Sequence, residues 1–540
     1  MSPSVVRRRI PPRALRTLAV LLAVGAVAAG LVQATPPPSP GPERRAPRLD
    51  PRIEAIMRKP EYRHARWGLF EQNPRTGTVV RSRDADQFFI PGSTAKLFGV
   101  SGTWHTLGGD HRFVTPVHAV GQQLRNGTLR GDLDLVAQGD LSLGGRTRKD
   151  GTLAYTTIDH TYANDIPGAT LTPENPLAGL DQLARQVRAA GIRRVDGDVI
   201  IDPRLFRPDP ALAPTPTPLI LNDNVIDLLT SPGNRAGAPA GLDVRPKVAP
   251  YRVTSTVRTV AAGRPGDIDV ATSADGTRIR LSGTIAAGSA PVLRVSRVKD
   301  PNAFGRTAMI EALKRAGVEV RANAVGPNPA GRLPASYRGA RTVARYTSPP
   351  YADYAELILK VSHNLGANLG ICLMATRARS TDCADGFPVL AAFLDGAKVD
   401  RKAVQLADGR GGDPVDRTTP RALAQILTYW QHTPDARRFR ESLPILGVDG
   451  TLADSCRDCP SRGKVFAKTG TVAGGDLLND RLAVGAETTA GYLETGKGTF
   501  EVFFAGVNGA STSRADVDAV LRVGDDVAGV AALLQQRRPG

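Results

Sequence analysis

The chain has 540 residues, 41% of them hydrophobic and 23% charged, which is ample for a large core and too long for one ordinary domain. Its net charge of +18 raises nucleic-acid binding, but the arginines are scattered over the whole length. No helix-turn-helix, zinc-finger or aromatic-interleaved basic segment occurs, which sets that class aside, and no long polar tract follows the N-terminal region, so most of the chain should fold.

Residues 1–34 read as an export signal that is cleaved or as an uncleaved anchor. Arg7, Arg8, Arg9, Arg13 and Arg16 precede the apolar run 18–32, and Val32-Gln33-Ala34 has the small-x-small form of a cleavage site. The run is short of the about 20 apolar residues that a membrane span wants. On either reading the rest of the chain leaves the cytoplasm. Residues 35–49 are so rich in proline that they predict an extended linker.

From residue 50 to 117 the pattern alternates. A short helix is expected over 52–57, and paired strands over 67–71 and 79–83 flank an Asn73-to-Gly77 turn, with a helix after Pro91-Gly92. The middle, 118–344, is richer in Gly, Pro and β-type runs such as 198–202 and 278–285. Within it, 180–202 and 309–326 form a weak repeat, each an amphipathic helix, an Ala-Gly turn and a strand. After Pro350 the helical period returns over 351–376, 419–432 and 516–536, and 500–507 is an apolar run of strand length. The economical reading is one domain built from both ends of the chain with a large insertion between.

Cys372, Cys383, Cys456 and Cys459 are the four cysteines. An even count outside the cytoplasm points to disulfides, Cys456 with Cys459 and Cys372 with Cys383. The rival readings are free thiols, a redox pair at Cys456-Arg457-Asp458-Cys459 and a four-thiolate zinc site. The redox reading needs a βαβ context, whereas this pair lies in a polar loop before a strand-like segment.

The segment 88–98 reads FFIPGSTAKLF. Ser93 stands at a Pro-Gly turn where a helix begins, and Lys96, three residues on, falls on the same face. A serine is a poor nucleophile until a base takes its proton, and a lysine is such a base when desolvation or a second cation lowers its pKa. Alone, the pattern is weak and would read first as an N-capping serine and a surface lysine. Two further motifs follow in order: Ser362-His363-Asn364 after a helix-like segment, and Lys468-Thr469-Gly470-Thr471 on a strand-like one. Ser-x-x-Lys, Ser-x-Asn and Lys-Thr-Gly together form the signature set of penicillin-recognising enzymes.

On these motifs the sequence resembles the low-molecular-mass class C penicillin-binding proteins, D-alanyl-D-alanine carboxypeptidases and endopeptidases with a large insertion between the first two motifs. The likeness extends to Gly131-Asp132-Leu133, Gln138-Gly139-Asp140, Leu221-Asn222-Asp223-Asn224 and 443–452. It implies an α/β (α+β) fold, an antiparallel sheet with helices. The peptidase domain would comprise 50–117 and 345–540, the insertion 118–202 and 303–344, with a second β-rich insert over 203–302. It implies Ser93 as nucleophile, Lys96 as base and Ser362 as proton relay, with Asn364, Lys468, Thr469, Gly470 and Thr471 binding substrate and the Ser93 and Thr471 N–H groups forming an oxyanion hole. Asp140, presented at a strand end, would bind the amine of a peptidoglycan stem peptide. The implied partners are stem peptides and β-lactams, and no metal or other cofactor is called for. The basic surface suits anionic cell-wall polymers and lipid head groups, or is solvated with no partner.

Four departures stand out. His363 replaces the usual Asp, Asn368 a common acidic residue, Asp408-Gly409-Arg410-Gly411-Gly412 the usual Asp-Gly-Ser-Gly, and Leu141 the usual proline. A β-lactamase or esterase of the same fold, a transpeptidase and a catalytically weak wall-binding relative are the alternatives.

Overall fold

The computed structural model describes residues 49–512 and 517–536. The expected signal or anchor, and all of the proline-rich linker except Leu49, lie outside the described residues. Among the described residues no helix is long and apolar enough to cross a membrane.

The architecture rests on one antiparallel sheet of five strands, ordered Val465–Asp476, Arg481–Gly496, Thr499–Ser511, Arg66–Gln72 and Val79–Arg83. Two of its strands precede the insertion and three follow it, so neither end of the chain could form the sheet alone. Because successive side chains of a strand face opposite ways, the apolar run in Thr499–Ser511 feeds two cores. Phe503 packs with Ile53, Trp67 and Val527 under the helix Val517–Gln535. Its neighbour Phe504 packs with Phe89, Phe98, Trp104 and Trp430 on the other face. There the helix Lys96–Leu107 runs centrally, buried from Lys96 to Trp104 among Tyr351–Lys360, Asn364–Arg377 and Pro420–Gln431.

The helical pattern expected over 351–376 is two helices, Tyr351–Lys360 and Asn364–Arg377. The break falls where Ser362 takes φ +61, a left-handed conformation that ends a right-handed helix. His363 then caps the second helix by accepting from Gly366 N–H at Nδ1.

The chain enters and leaves its middle section on two adjacent strands, Arg112–Gln123 and Arg341–Pro350, paired antiparallel with Val117 opposite Ala344. The expected joins at 117/118 and 344/345 fall inside these strands. The sheet they begin has six strands and carries the helices Ala178–Ala189 and Pro301–Arg315, which pack on each other. Each helix leads through a turn to a short strand, and the two short strands, Arg194–Val195 and Glu319–Val320, lie parallel as neighbours. Between them the chain builds a three-stranded and a four-stranded sheet from strands spanning 225–297. Residues 117–346 supply a core of their own, but Leu141, Leu153, Phe206, Leu212 and Ile220 are shared with the catalytic helices.

Cys372, on the helix Asn364–Arg377, is bonded to Cys383, and Cys456 to Cys459. Thiol titration of the unfolded, non-reduced protein is expected to find all four unreactive. Replacing Cys372 and Cys383 by serine removes a crosslink spanning 11 residues. By loop entropy this should cost about 3 kcal/mol, read as a fall in Tm.

Candidate active site

Ser93 sits in the 3-10 turn Gly92–Ala95, immediately before the helix Lys96–Leu107. Side chains of the sheet fix this turn: Thr488 Oγ1 donates to Pro91 O at 2.7 Å, and Asn508 bridges Ile90 N and Ile90 O. The turn lies flat on the Lys468 strand because both surfaces are glycine. A Cβ on Gly470 would stand 2.3 Å from Pro91 O and 2.8 Å from Ser93 N, and one on Gly92 would stand 2.9 Å from Thr471 N. The backbone N–H groups of Ser93 and Thr471 are thereby brought close together.

Lys96 is fully buried, and its Nζ lies 2.6 Å from Ser93 Oγ, 2.8 Å from Asn364 Oδ1, 3.1 Å from Arg410 O and 3.4 Å from Ser362 Oγ. Burial, the Lys468 cation and Arg410 hold this amine well below the ordinary lysine range, against the pull of Asp408. A neutral amine has two hydrogens and one lone pair. Asn364 Oδ1 and Arg410 O take the hydrogens, which leaves the lone pair for Ser93 Oγ. Lys468 is equally buried, its Nζ 3.0 Å from Ser362 Oγ and 2.7 Å from Thr469 O. Burial brings it down to about 7, opposed by the carboxyl of Glu487. The three motifs thus meet around Ser362 Oγ, which touches both lysines.

Thr469 pairs hydroxyl to hydroxyl with Thr451 at 2.7 Å, and Thr471 Oγ1 donates to Glu487 Oε1 at 3.1 Å. Glu487 is a residue the motifs did not point to. It stands opposite Thr471 in the strand pairing, and burial pushes it up to about 8, so it is mostly uncharged at neutral pH.

The departures have structural partners. The Arg410 side chain turns to Asp408, with Nε 3.0 Å from Oδ2, while its carbonyl serves Lys96. Asp408 Oδ1 accepts from the N–H groups of Arg410 and Gly411, which curls the loop beneath Ser93. Asn368 is buried and accepts from Gly409 N–H on the same loop. An acidic residue there could take that bond, but it would put a second buried carboxylate near Asp408.

Asp140 corrects an expectation. Instead of being presented at a strand end as expected, the residue is buried, 3% exposed. Oδ1 accepts from Ser142 N–H and Leu143 N–H at 3.0 Å each and from Tyr354 OH at 2.6 Å. Three inward donors outcompete solvent for a short side chain at a turn, so Asp140 ties the middle section to the helix that leads to Ser362.

Asp159, His160 and Asp223 bring their polar atoms within 4.8 Å of one another, as metal ligands do. The place of a cation is already taken: Arg146 sits 2.7 Å from both carboxylates, and both nitrogens of His160 face carboxylates. This trio does not fit a metal ion.

A serine hydroxyl against a desolvated lysine, at the start of a helix beneath an antiparallel sheet, defines a lysine-assisted serine acyl-transfer enzyme. A sequence profile narrows this, since residues 49–525 match the D-Ala-D-Ala carboxypeptidase 3 (S13) family, and the chain belongs to that family of serine-type peptidases. It is 26% identical over 487 residues to a D-alanyl-D-alanine carboxypeptidase of Actinomadura sp. (strain R39), covering 86% of this chain and 84% of the relative. It is 20% identical over 463 residues to the D-alanyl-D-alanine carboxypeptidase DacB of Haemophilus influenzae, covering 82% and 86%. Among solved structures, penicillin binding protein 4 (dacB) of Haemophilus influenzae superposes with a TM-score of 0.67 at 19% identity, over 90% of this chain and 99% of that one. The expected α+β, penicillin-recognising fold is the fold observed.

Two measurements follow from this geometry. If Lys96 is the base, the acylation rate should climb with pH as its ammonium loses a proton, along a limb displaced below the about 10.4 of free lysine. Lys96→Arg, which stays protonated, should abolish the limb and the activity, and a rate flat across neutral and alkaline pH would count against Lys96. For Asp140→Ala, thermal unfolding should show a loss of about 1–3 kcal/mol from the orphaned donors, with activity per folded molecule retained.

Proposed function

We propose that the chain cleaves D-alanyl-D-alanine peptides of peptidoglycan stems through an acyl-enzyme on Ser93, and that β-lactams acylate the same oxygen. The observation that carries this is Lys96 Nζ, 2.6 Å from Ser93 Oγ, with Ser362 Oγ bridging towards Lys468.

In this reading neutral Lys96 accepts the Ser93 proton as Oγ attacks the carbonyl carbon between the two D-alanines. The carbonyl oxygen becomes an oxyanion and is met by the N–H groups of Ser93 and Thr471, each worth about 3 kcal/mol by analogy with other oxyanion donors. The C–N bond then breaks. Its nitrogen takes a proton from Ser362 Oγ, which is replenished from the lysine side, and free D-alanine leaves. Water then attacks the ester carbonyl, gives its proton to Lys96, and returns Ser93 Oγ–H. Asn364 is assigned to hold the substrate amide. Lys468, Thr469 and Thr471 are assigned to the terminal carboxylate, an anion whose arrival favours protonated Lys468 and raises its low pKa. Gly470 serves by having no side chain where the Ser93 turn must approach.

We place this work outside the cytoplasm. The arginine-flanked apolar N-terminus supports export, and the net charge of +18 supports attraction to anionic wall polymers.

The test is intact-mass analysis after incubation with penicillin, followed by peptide mapping. One penicilloyl adduct is expected, on Ser93, and Ser93→Ala should lose both the adduct and D-alanine release. Labelling that survives in Ser93→Ala would remove Ser93 from the role.

A further inference from the structure

The turn that carries Ser362 is gripped by two residues from the middle section of the chain. One is Tyr162, which follows Asp159 and His160 in a short turn. Its phenol donates to Ser362 O at 2.5 Å. The other is Asp223, on a turn in which Asn222, Asp223 and Asn224 are all left-handed, with φ between 49 and 56. Its Oδ1 lies 3.1 Å from Nε2 of His363, the residue between Ser362 and Asn364. His363 is fully buried, and its Nδ1 accepts from Gly366 N–H, so the ring proton sits on Nε2 and faces Asp223.

Behind this contact lies a charge cluster that fixes Asp223. Arg146 bridges Asp159 and Asp223. His160 bridges Asp223 and Asp227 at 2.7 and 2.6 Å. Arg245 approaches Asp227 at 3.6 Å. With both ring nitrogens facing carboxylates, His160 is an imidazolium. Three cations, of which only Arg245 is partly exposed, therefore balance three carboxylates, and Asp223 Oδ2 is held by both Arg146 and His160. These bonds fix Asp223 through Oδ2, and its Oδ1, which makes no hydrogen bond within the cluster, is left facing His363 in the turn that carries Ser362.

Ser362 needs such support, because a left-handed conformation in a residue with a Cβ costs about 1–3 kcal/mol and persists only where its surroundings enforce it. We propose that Tyr162 and Asp223 are positioning residues for the reaction. Tyr162 acts through the Ser362 carbonyl and Asp223 through His363, and together they hold Ser362 Oγ within reach of both lysines. The inference rests on the reading that Ser362 relays a proton in the Ser93 reaction. The departure at position 363 is part of the device, since a carboxylate there would face Asp223 with like charge, whereas the imidazole places Nε2 3.1 Å from Asp223 Oδ1.

The test is a double-mutant cycle on the rate constant for Ser93 labelling by a fluorescent penicillin, with folding checked by circular dichroism and Tm. Tyr162→Phe removes one hydroxyl and should slow labelling about tenfold, the value of one hydrogen bond. In a Ser362→Ala background, where no relay hydroxyl remains to be aimed, the same change should cost less than about twofold. Because Asp223 also holds Arg146 and His160, its link is tested from the other side. His363→Asn keeps a helix-capping side chain but removes the Nε2–H, and should follow the same pattern. Labelling left unchanged by Tyr162→Phe and His363→Asn when Ser362 is intact, or equal losses with and without the Ser362 hydroxyl, overturns the positioning role. A wild-type protein that Ser93 labelling never detects overturns the Ser93 reading, and this inference with it.

Discussion

Two lysines, both fully buried, share one serine hydroxyl, and most of the site follows from the difficulty of that arrangement. Lys96 and Lys468 both approach Ser362 Oγ. Two ammonium groups that close, out of water, repel each other and forfeit hydration, so Lys96 is held well below the ordinary lysine range and Lys468 is brought down to about 7. That is what lets Lys96 serve as the base in the proposed reaction. It also makes the site costly to hold, because a neutral amine must be aimed by acceptors rather than drawn in by a counterion. Asn364 Oδ1, Arg410 O and Thr469 O are those acceptors. The nearest carboxyls complete the pattern. Asp408 is hydrogen-bonded to its own loop and pulls on Lys96 only against burial and two cations, and Glu487 is pushed up to about 8, so it is mostly uncharged at neutral pH.

What was legible in the sequence is what local physics dictates. The paired strands around the Asn73 turn, the helix after Gly92 and the apolar run through Phe503 each announce themselves within a dozen residues. The structure has strands at Arg66–Gln72 and Val79–Arg83, a helix at Lys96–Leu107 and a strand at Thr499–Ser511. The three motifs were legible for a different reason: each is a short string that is ambiguous alone, and their order along the chain supplies what none gives by itself.

What escaped is what depends on contacts across the chain. Asp140 reads as an exposed turn residue because nothing nearby in sequence shows Tyr354 arriving 214 residues later with its hydroxyl. Thr488 and Asn508, which pin the Ser93 turn, look like ordinary strand residues. Tyr162, Asp223 and His363 form a working group only because a left-handed turn at 222–224 meets another at 362, and no periodicity encodes that. The one faint sign lay in the departures, since a histidine where an aspartate is usual asks for a compensating partner elsewhere.

The pairing of Val117 with Ala344 has a consequence for how such a protein could arise. The two ends of the middle section leave the catalytic layer about 5 Å apart, the spacing of neighbouring strands. A genetic event could therefore splice more than 220 residues into a plain hairpin, or cut them out again, with a single tight turn to close the gap. Topology leaves the guest removable, while Tyr162 and Asp223 make the host depend on it. A trimmed descendant would keep its sheet, its two lysines and its serine, and would have to find another way to bend the backbone at Ser362.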